Sequence, residues 1–100
     1  MKIHTEAVHF TADQKLLDFI ERKITKLGTF FDRILDVQVI LKLENIGQVR
    51  DKVAELIVHI PGGQLIAKET DKTFEVAIDE ATESIRRQLI KTKELQALNR

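Results

Sequence analysis

The sequence lacks several features, and each absence excludes a class of protein. It contains no cysteine, so neither a disulfide nor a thiolate metal site can form. No more than three apolar residues follow one another anywhere, which excludes a transmembrane helix. The first residues do not contain the apolar core of a signal peptide. From these absences we expect a cytoplasmic protein that has no membrane partner.

Tryptophan and tyrosine are also absent, and none of the five phenylalanines falls in the middle of a predicted strand. The sheet therefore offers no platform on which nucleic-acid bases can stack. The 16 basic and 16 acidic side chains balance, so the formal net charge is zero. Because no overall positive field attracts polyanions, any binding of nucleic acid must come from a local basic patch.

Hydrophobic periodicity predicts the element order β-α-β-β-β-α, which is an α+β fold. The length of 100 residues suits one domain, which we place at residues 1–95, with a frayed tail at 96–100. Strands are expected at residues 2–8, 37–43, about 49–60 and 65–70. Both helices should pack on one face of a four-stranded sheet and leave the other face exposed. The last four elements follow the order of a double-stranded-RNA-binding domain.

Local signals predict where the two helices begin and end. The spacing of Thr11 and Gln14 is that of a capping box, and Gly28 is the expected C-cap of the first helix. Phe30 and Phe31 follow, and we expect them to anchor that helix to the core. The second helix is predicted over residues 73 to about 93. Its apolar stripe consists of Phe74, Ala77, Ile78, Ala81, Ile85 and Leu89.

The charges of the second helix are divided along its length. Residues 75–83 contain four acids and no base, whereas residues 84–93 contain four bases and no acid: Arg86, Arg87, Lys91 and Lys93. One interpretation is that this polarity complements the helix macrodipole. The other is that the basic end contacts phosphates, with Arg87 and Lys91 facing outward. Most charge runs are solvated helix faces, which favours the first interpretation from the residues alone.

The sequence contains no recognisable catalytic motif. It has no Walker loop, no Gly-x-Ser-x-Gly and no Gly-x-Gly-x-x-Gly. The candidates for acid–base chemistry near neutral pH are His4, His9 and His59, which are not spaced as metal ligands. His4 and His59 can approach each other only if their strands are neighbours. We therefore expect a protein that is not an enzyme and has no catalytic residue, metal or cofactor.

The chain resembles a known family over essentially its whole length. Lys26-Leu27-x-x-Phe30-Phe31-Asp32-Arg33-Ile34, followed by Val37-x-Val39-Ile40-Leu41-Lys42, is similar to the helix–strand corner of the ribosome hibernation-promoting factor family, which includes protein Y. Three further pieces match in the same order: Gly62-Gly63, Ala77-Ile78-Asp79, and Arg87-Gln88-Leu89 with Lys91 and Lys93. The tyrosine that the family often has ahead of the second of these is replaced by Glu75.

The resemblance implies a bacterial translation inhibitor of the stress response and stationary phase. Such a factor binds the small ribosomal subunit against its rRNA, in the channel for mRNA and the A- and P-site tRNAs. Carried over by position, it implies rRNA contacts at Lys23, Lys26, Arg87, Lys91 and Lys93, and Arg86 in the same basic run completes the predicted site. The length corresponds to the short form of the family. We expect a monomer off the ribosome and no binding to DNA.

A second hypothesis remains open from the residues. The exposed sheet face is predicted to carry Ile40, Ile57 and Ile66 among polar side chains such as His4 and Lys68. An apolar strip of this kind suits a protein-interaction module that uses the sheet face or an exposed strand edge. Salt separates the two hypotheses, because binding through phosphates weakens steeply as salt rises and an apolar contact weakens much less.

Overall fold

The computed structural model describes residues 1–44 and 47–98. Within them the elements follow the predicted order β-α-β-β-β-α, and their bounds are β1 Lys2–Ala7, α1 Gln14–Phe30, β2 Asp36–Leu43, β3 Lys52–Ile60, β4 Gly63–Asp71 and α2 Phe74–Leu98. Residues 45 and 46 of the predicted turn, and residues 99 and 100 of the predicted tail, lie outside the described part. The last element, α2, ends five residues beyond its predicted end at about residue 93.

The four strands form one mixed sheet in the order β1-β2-β3-β4. β1 runs parallel to β2, because α1 connects them as a crossover, and the remaining pairs are antiparallel. β3 and β4 form a hairpin, in which Ile60 pairs with Gly63. Pro61 followed by Gly62 at a φ of 86° is the signature of a type II turn, since a positive φ is readily available only to glycine.

Both helices pack on the same face of the sheet, as predicted. All six apolar positions predicted for α2 are buried. They meet buried side chains of α1 and of the sheet, such as Ile24, Val39 and Leu56. A fully buried side chain of this size contributes about 1.5–3 kcal/mol relative to an exposed one. Two apolar residues at the ends of predicted strands are not buried. Leu43 is 40% exposed, and Val49, which is 74% exposed, lies before the start of β3.

The other face of the sheet carries the predicted polar and apolar mixture. The register places His4, Gln38, Ile57 and Ile66 side by side across the four strands. Ile66 is 48% exposed, whereas Ile57 is half-buried. The apolar part of this face is therefore narrow and lies between polar rows.

The ends of α1 differ from the prediction. The N-cap is Asp13, whose carboxylate accepts a hydrogen bond from the Leu16 amide at 2.8 Å, and the Gln14 side chain donates to Asp18 instead of reaching back. The predicted capping box at Thr11 is therefore wrong, because Asp13 lies closer to the first helical turn and caps it directly.

The predicted C-cap at Gly28 is also wrong. α1 continues to Phe30, and the amide of Phe31 donates to the carbonyl of Leu27 at 2.9 Å. Gly28 has no positive φ; instead, the Met1 Cε atom lies 3.0 Å from the place where a Cβ would stand. Glycine at this helical position therefore makes room for the N-terminal methionine.

Phe31 is buried in the core at the α1–β2 corner, and Phe30 packs against the core while partly exposed, in agreement with their predicted anchoring role. Neither helix, within the residues described, combines the length and the hydrophobicity needed to cross a bilayer.

Candidate nucleic-acid interface

The six predicted basic residues project from two adjacent helices. α1 and α2 lie side by side on the sheet, and a groove of about 750 Å³ separates part of their outer surfaces. Lys23 and Lys26 of α1 and Arg86 of α2 line this groove, together with Asp79 and Glu83. The fold thus brings together basic residues that are far apart in the sequence. We call this surface the interhelical groove.

The basic residues of α2 form two rows. Arg86 and Lys93 are seven residues, or about two turns, apart and lie on the side that faces α1. Arg87 and Lys91 are four residues apart on the outer side, and both are exposed as predicted. The Arg87 side chain, 65% exposed, lies in a second depression beside Glu69 and Glu80. The structure therefore groups Arg86 with the α1 lysines and directs Arg87 and Lys91 outward.

Lys23 connects the two helices. Its ammonium group lies 2.8 Å from the Asp79 carboxylate of α2 and 5.5 Å from the centre of the Phe19 ring. Lys26, one turn further along α1, is exposed, and no ion pair is recorded for it in the described part of the chain. Of the two lysines of α1 that belong to the predicted site, Lys26 is thus the one whose charge remains directed at solvent.

Arg86 is held by Glu83 on the preceding turn. Its Nε and Nη2 atoms each donate to one oxygen of the Glu83 carboxylate at 3.1 Å. Arg87 Nη1 lies 4.0 Å from the same carboxylate. These contacts lower the pKa of Glu83, chiefly through its hydrogen bond with Arg86, and raise the pKa of Arg86 for the same reason. Glu83 is therefore an anion at neutral pH, placed between two arginines.

Lys93 contacts the C-terminal end of α1. Its ammonium group donates to the carbonyl oxygen of Phe30 at 3.0 Å and lies 4.7 Å from the centre of the Phe30 ring and 5.5 Å from that of Phe31. The last carbonyls of a helix lack intrahelical partners and favour a nearby cation. Lys93 therefore supplies from α2 a positive charge that the last turn of α1 does not contain.

The macrodipole does not account for the basic half of α2. The helix continues to Leu98, so Lys91 lies seven residues, or about two turns, before its end. The dipole effect acts mainly within the last turn, which contains no basic residue. Complementing the dipole remains a sound interpretation for Glu75 in the first turn, but Arg86, Arg87 and Lys91 require another reason.

An acidic surface lies near the other end of α2. Glu80 and Asp71 interact through their carboxyl groups, and this hydrogen bond raises the pKa of Glu80 and lowers that of Asp71. Glu69 of β4 raises the pKa of Glu80 further. Two of these acids, Glu69 and Glu80, also line the depression that contains Arg87, so acidic and basic side chains adjoin on the outer side of α2.

The histidines do not form a site. His4 and His59 lie on β1 and β3, which β2 separates. His59 pairs instead with the Asp36 carboxylate on the adjacent strand. Among residues 1–44 and 47–98, no three histidine or carboxylate side chains are grouped so that they could hold a metal ion.

Sequence reasoning located the basic residues but missed their acidic partners. The spacing of Glu83 from Arg86 and Arg87, three and four residues, is a signal for helical ion pairs that could have identified Glu83. No comparable local signal existed for Asp79 with Lys23 or for Lys93 with Phe30, because both contacts join different helices.

The sequence matches a known protein family. The family model described as sigma 54 modulation protein / S30EA ribosomal protein matches residues 3–96. A ribosome hibernation promoting factor from Pseudomonas putida is 35% identical over 96 residues, which cover 96% of this chain and 90% of that protein. Neither name denotes an enzyme, in agreement with the prediction from the sequence.

Two solved structures have the same fold. A ribosomal subunit interface protein from Coxiella burnetii matches with a TM-score of 0.84 at 19% identity, over 94% of this chain and 99% of that chain. The N-terminal domain of protein Y from Thermus thermophilus matches with a TM-score of 0.72 at 26% identity, over 91% and 94%. The arrangement of two helices on one face of a four-stranded mixed sheet is therefore shared with these two proteins.

Proposed function

This chain belongs to the sigma 54 modulation protein / S30EA ribosomal protein family, and on that basis we propose that it is a ribosome hibernation factor that binds the small ribosomal subunit and inhibits translation in the cytoplasm. The domain lies in the channel that otherwise holds mRNA and the A- and P-site tRNAs. It acts by occupying this space, and it needs no chemical step.

The contacts with rRNA are made to phosphates. Lys26 from α1 and Arg86, Arg87 and Lys91 from α2 carry the exposed charge. Lys23 and Lys93 add positive potential while they join the two helices. Phosphate contacts of this kind position a protein on RNA without reading its bases. Shape and charge together are therefore sufficient for recognition. This agrees with the sheet, which offers no platform on which bases can stack.

The observation that supports this site most strongly is the interhelical groove itself. It brings Lys26 and Arg86 to one surface, although they come from different helices. The exposed side chains of Lys26, Arg87 and Lys91 supply the local positive potential through which a protein of zero net charge can contact a polyanion.

The test is co-sedimentation of the purified protein with small ribosomal subunits at about 50 and about 200 mM salt. With about four phosphate contacts, counterion release predicts that the affinity falls by about 10²-fold between these concentrations. Binding that is independent of salt, or that is absent even at the lower concentration, would contradict the proposal.

The site is tested by reversing charges. The double variant Arg87→Glu and Lys91→Glu should lose binding to the subunit and keep its fold, because both side chains are exposed. A matched control is the double variant Lys2→Glu and Lys15→Glu. It changes the net charge equally at exposed positions that are not among the six predicted basic residues, and it should retain most of the affinity. Equal losses in the two variants would show that only the net charge matters.

A further inference from the structure

The contact between Glu83 and Arg86 uses one particular edge of the guanidinium group. Nε and Nη2 donate to the two carboxylate oxygens, so the carboxylate lies along the side of the planar group. A guanidinium group has five N–H donors in a fixed fork. Two donors are used here, and three remain: one on Nη2 and both on Nη1.

The remaining donors form a second fork. The end of the guanidinium group, with Nη1 and Nη2, can bind two oxygens of a phosphate while the side stays on Glu83. Arg86 therefore does not need to leave Glu83 in order to contact RNA. The contact also holds a long side chain in one orientation, which lowers the entropy that is lost on binding.

We propose that Glu83 is a positioning residue, which holds Arg86 on the side of the interhelical groove so that the free end of its guanidinium group meets an rRNA phosphate. This inference rests on the proposed function and deepens it, since it assigns a specificity role to an acidic residue within a basic surface. Arg87, which lies at 4.0 Å from the same carboxylate, has no such fork and supplies charge alone.

Two effects of Glu83 on RNA binding have opposite signs. As a negative charge, it repels every phosphate, so its removal should strengthen binding to any RNA. As a positioning residue, it strengthens binding only where a phosphate lies at the end of Arg86. The two effects are therefore separated by comparing the affinity for the ribosomal subunit, where a phosphate is expected at the end of Arg86, with the affinity for an arbitrary RNA duplex.

The experiment measures the affinities of Glu83→Gln for small ribosomal subunits and for the duplex poly(A)·poly(U). A glutamine side chain presents one acceptor oxygen, so the fork to Arg86 is lost. We expect the affinity for the subunit to fall by roughly two- to tenfold, because Arg86 must then be ordered on binding. We expect the affinity for the duplex to rise. Glu94→Gln is the matched control, since it removes one exposed charge further along α2 and should raise both affinities slightly.

A second comparison tests the link to Arg86. Lysine cannot form either fork, so Glu83→Gln should cause no further loss of subunit binding in an Arg86→Lys background. Thermal unfolding should change little in all these variants, because exposed ion pairs within a helix stabilise it only weakly.

The inference is overturned if Glu83→Gln raises both affinities as Glu94→Gln does, or if its effect is unchanged in the Arg86→Lys background. Failure of the wild-type protein to bind the subunit is a separate outcome. It would overturn the proposed function and this inference with it.

Discussion

At the scale of single residues, the four lysines among the six predicted contacts divide into two groups. Lys23 and Lys93 already make contacts between the helices, with Asp79 and with the Phe30 carbonyl. Lys26 and Lys91 are exposed, and no ion pair is recorded for either within the described residues. A basic residue of the first group affects both the stability of the fold and the positive potential of its surface. One of the second group affects mainly the potential.

Lys93→Ala should therefore destabilise the protein. It removes a hydrogen bond to a helix-terminal carbonyl and a cation that lies over two phenylalanine rings, together worth about 1 kcal/mol. Alanine and lysine are both good helix formers, so the helix itself is little affected. Urea denaturation measures the change in the free energy of unfolding. Lys91→Ala, two residues away, is the control and should change it by less than about 0.5 kcal/mol. Equal effects of the two variants would contradict the role assigned to Lys93.

The positions of the basic residues were predictable because they form a local run and match a family pattern. Their division into structural and exposed groups was not. Whether the Lys93 ammonium reaches Phe30, 63 residues away, depends on how α2 lies against α1. A hydrogen bond between two helices does not alter the residue periodicity of either helix, so it cannot be predicted from that periodicity.

At the scale of elements, α1 illustrates how far local signals extend. Its apolar stripe was readable because burial recurs every three to four residues. Its ends were not, because Thr11, Asp13 and Gly28 are all acceptable capping residues and nothing local decides among them. In the case of Gly28, the packing of Met1 against it decides the matter, and this contact depends on how β1 lies beside α1.

Asp13→Ala should cost about 1 kcal/mol of stability, because it leaves the Leu16 amide without its side-chain acceptor. Thr11→Ala is the matched control, and we expect its effect to stay within about 0.5 kcal/mol. Thermal or urea denaturation of both variants measures the difference. A larger loss of stability for Thr11→Ala than for Asp13→Ala would contradict Asp13 as the N-cap and would support the capping box predicted at Thr11.

The length of α2 changed the interpretation of its charges. Residues 84–93 looked like the end of the helix in the sequence, where bases complement the dipole. Because the helix continues to Leu98, these bases lie before its last turn, with Arg86 and Lys93 on the side that faces α1 and Arg87 and Lys91 on the outer side. The five residues by which the predicted helix was too short therefore weaken the macrodipole interpretation of these bases.

At the scale of the whole molecule, the two faces of the sheet suggest different partners. The helical face carries the interhelical groove and its cations, whereas the open face carries a narrow apolar strip around Ile57 and Ile66. The first suits a polyanion and the second a small protein contact. The fold class followed from periodicity, and the expectation that the helical face is the binding face came from the family resemblance. The three-dimensional grouping of Lys26 with Arg86 supports that expectation.

The central claim is that the helical face meets rRNA, and cryo-electron microscopy of the protein bound to small ribosomal subunits tests it most directly. We predict density for the domain in the mRNA and tRNA channel, with Lys26, Arg86, Arg87 and Lys91 within hydrogen-bonding or ion-pairing distance of rRNA phosphates. Density in which the open sheet face meets the ribosome, while the interhelical groove faces solvent, would contradict the account.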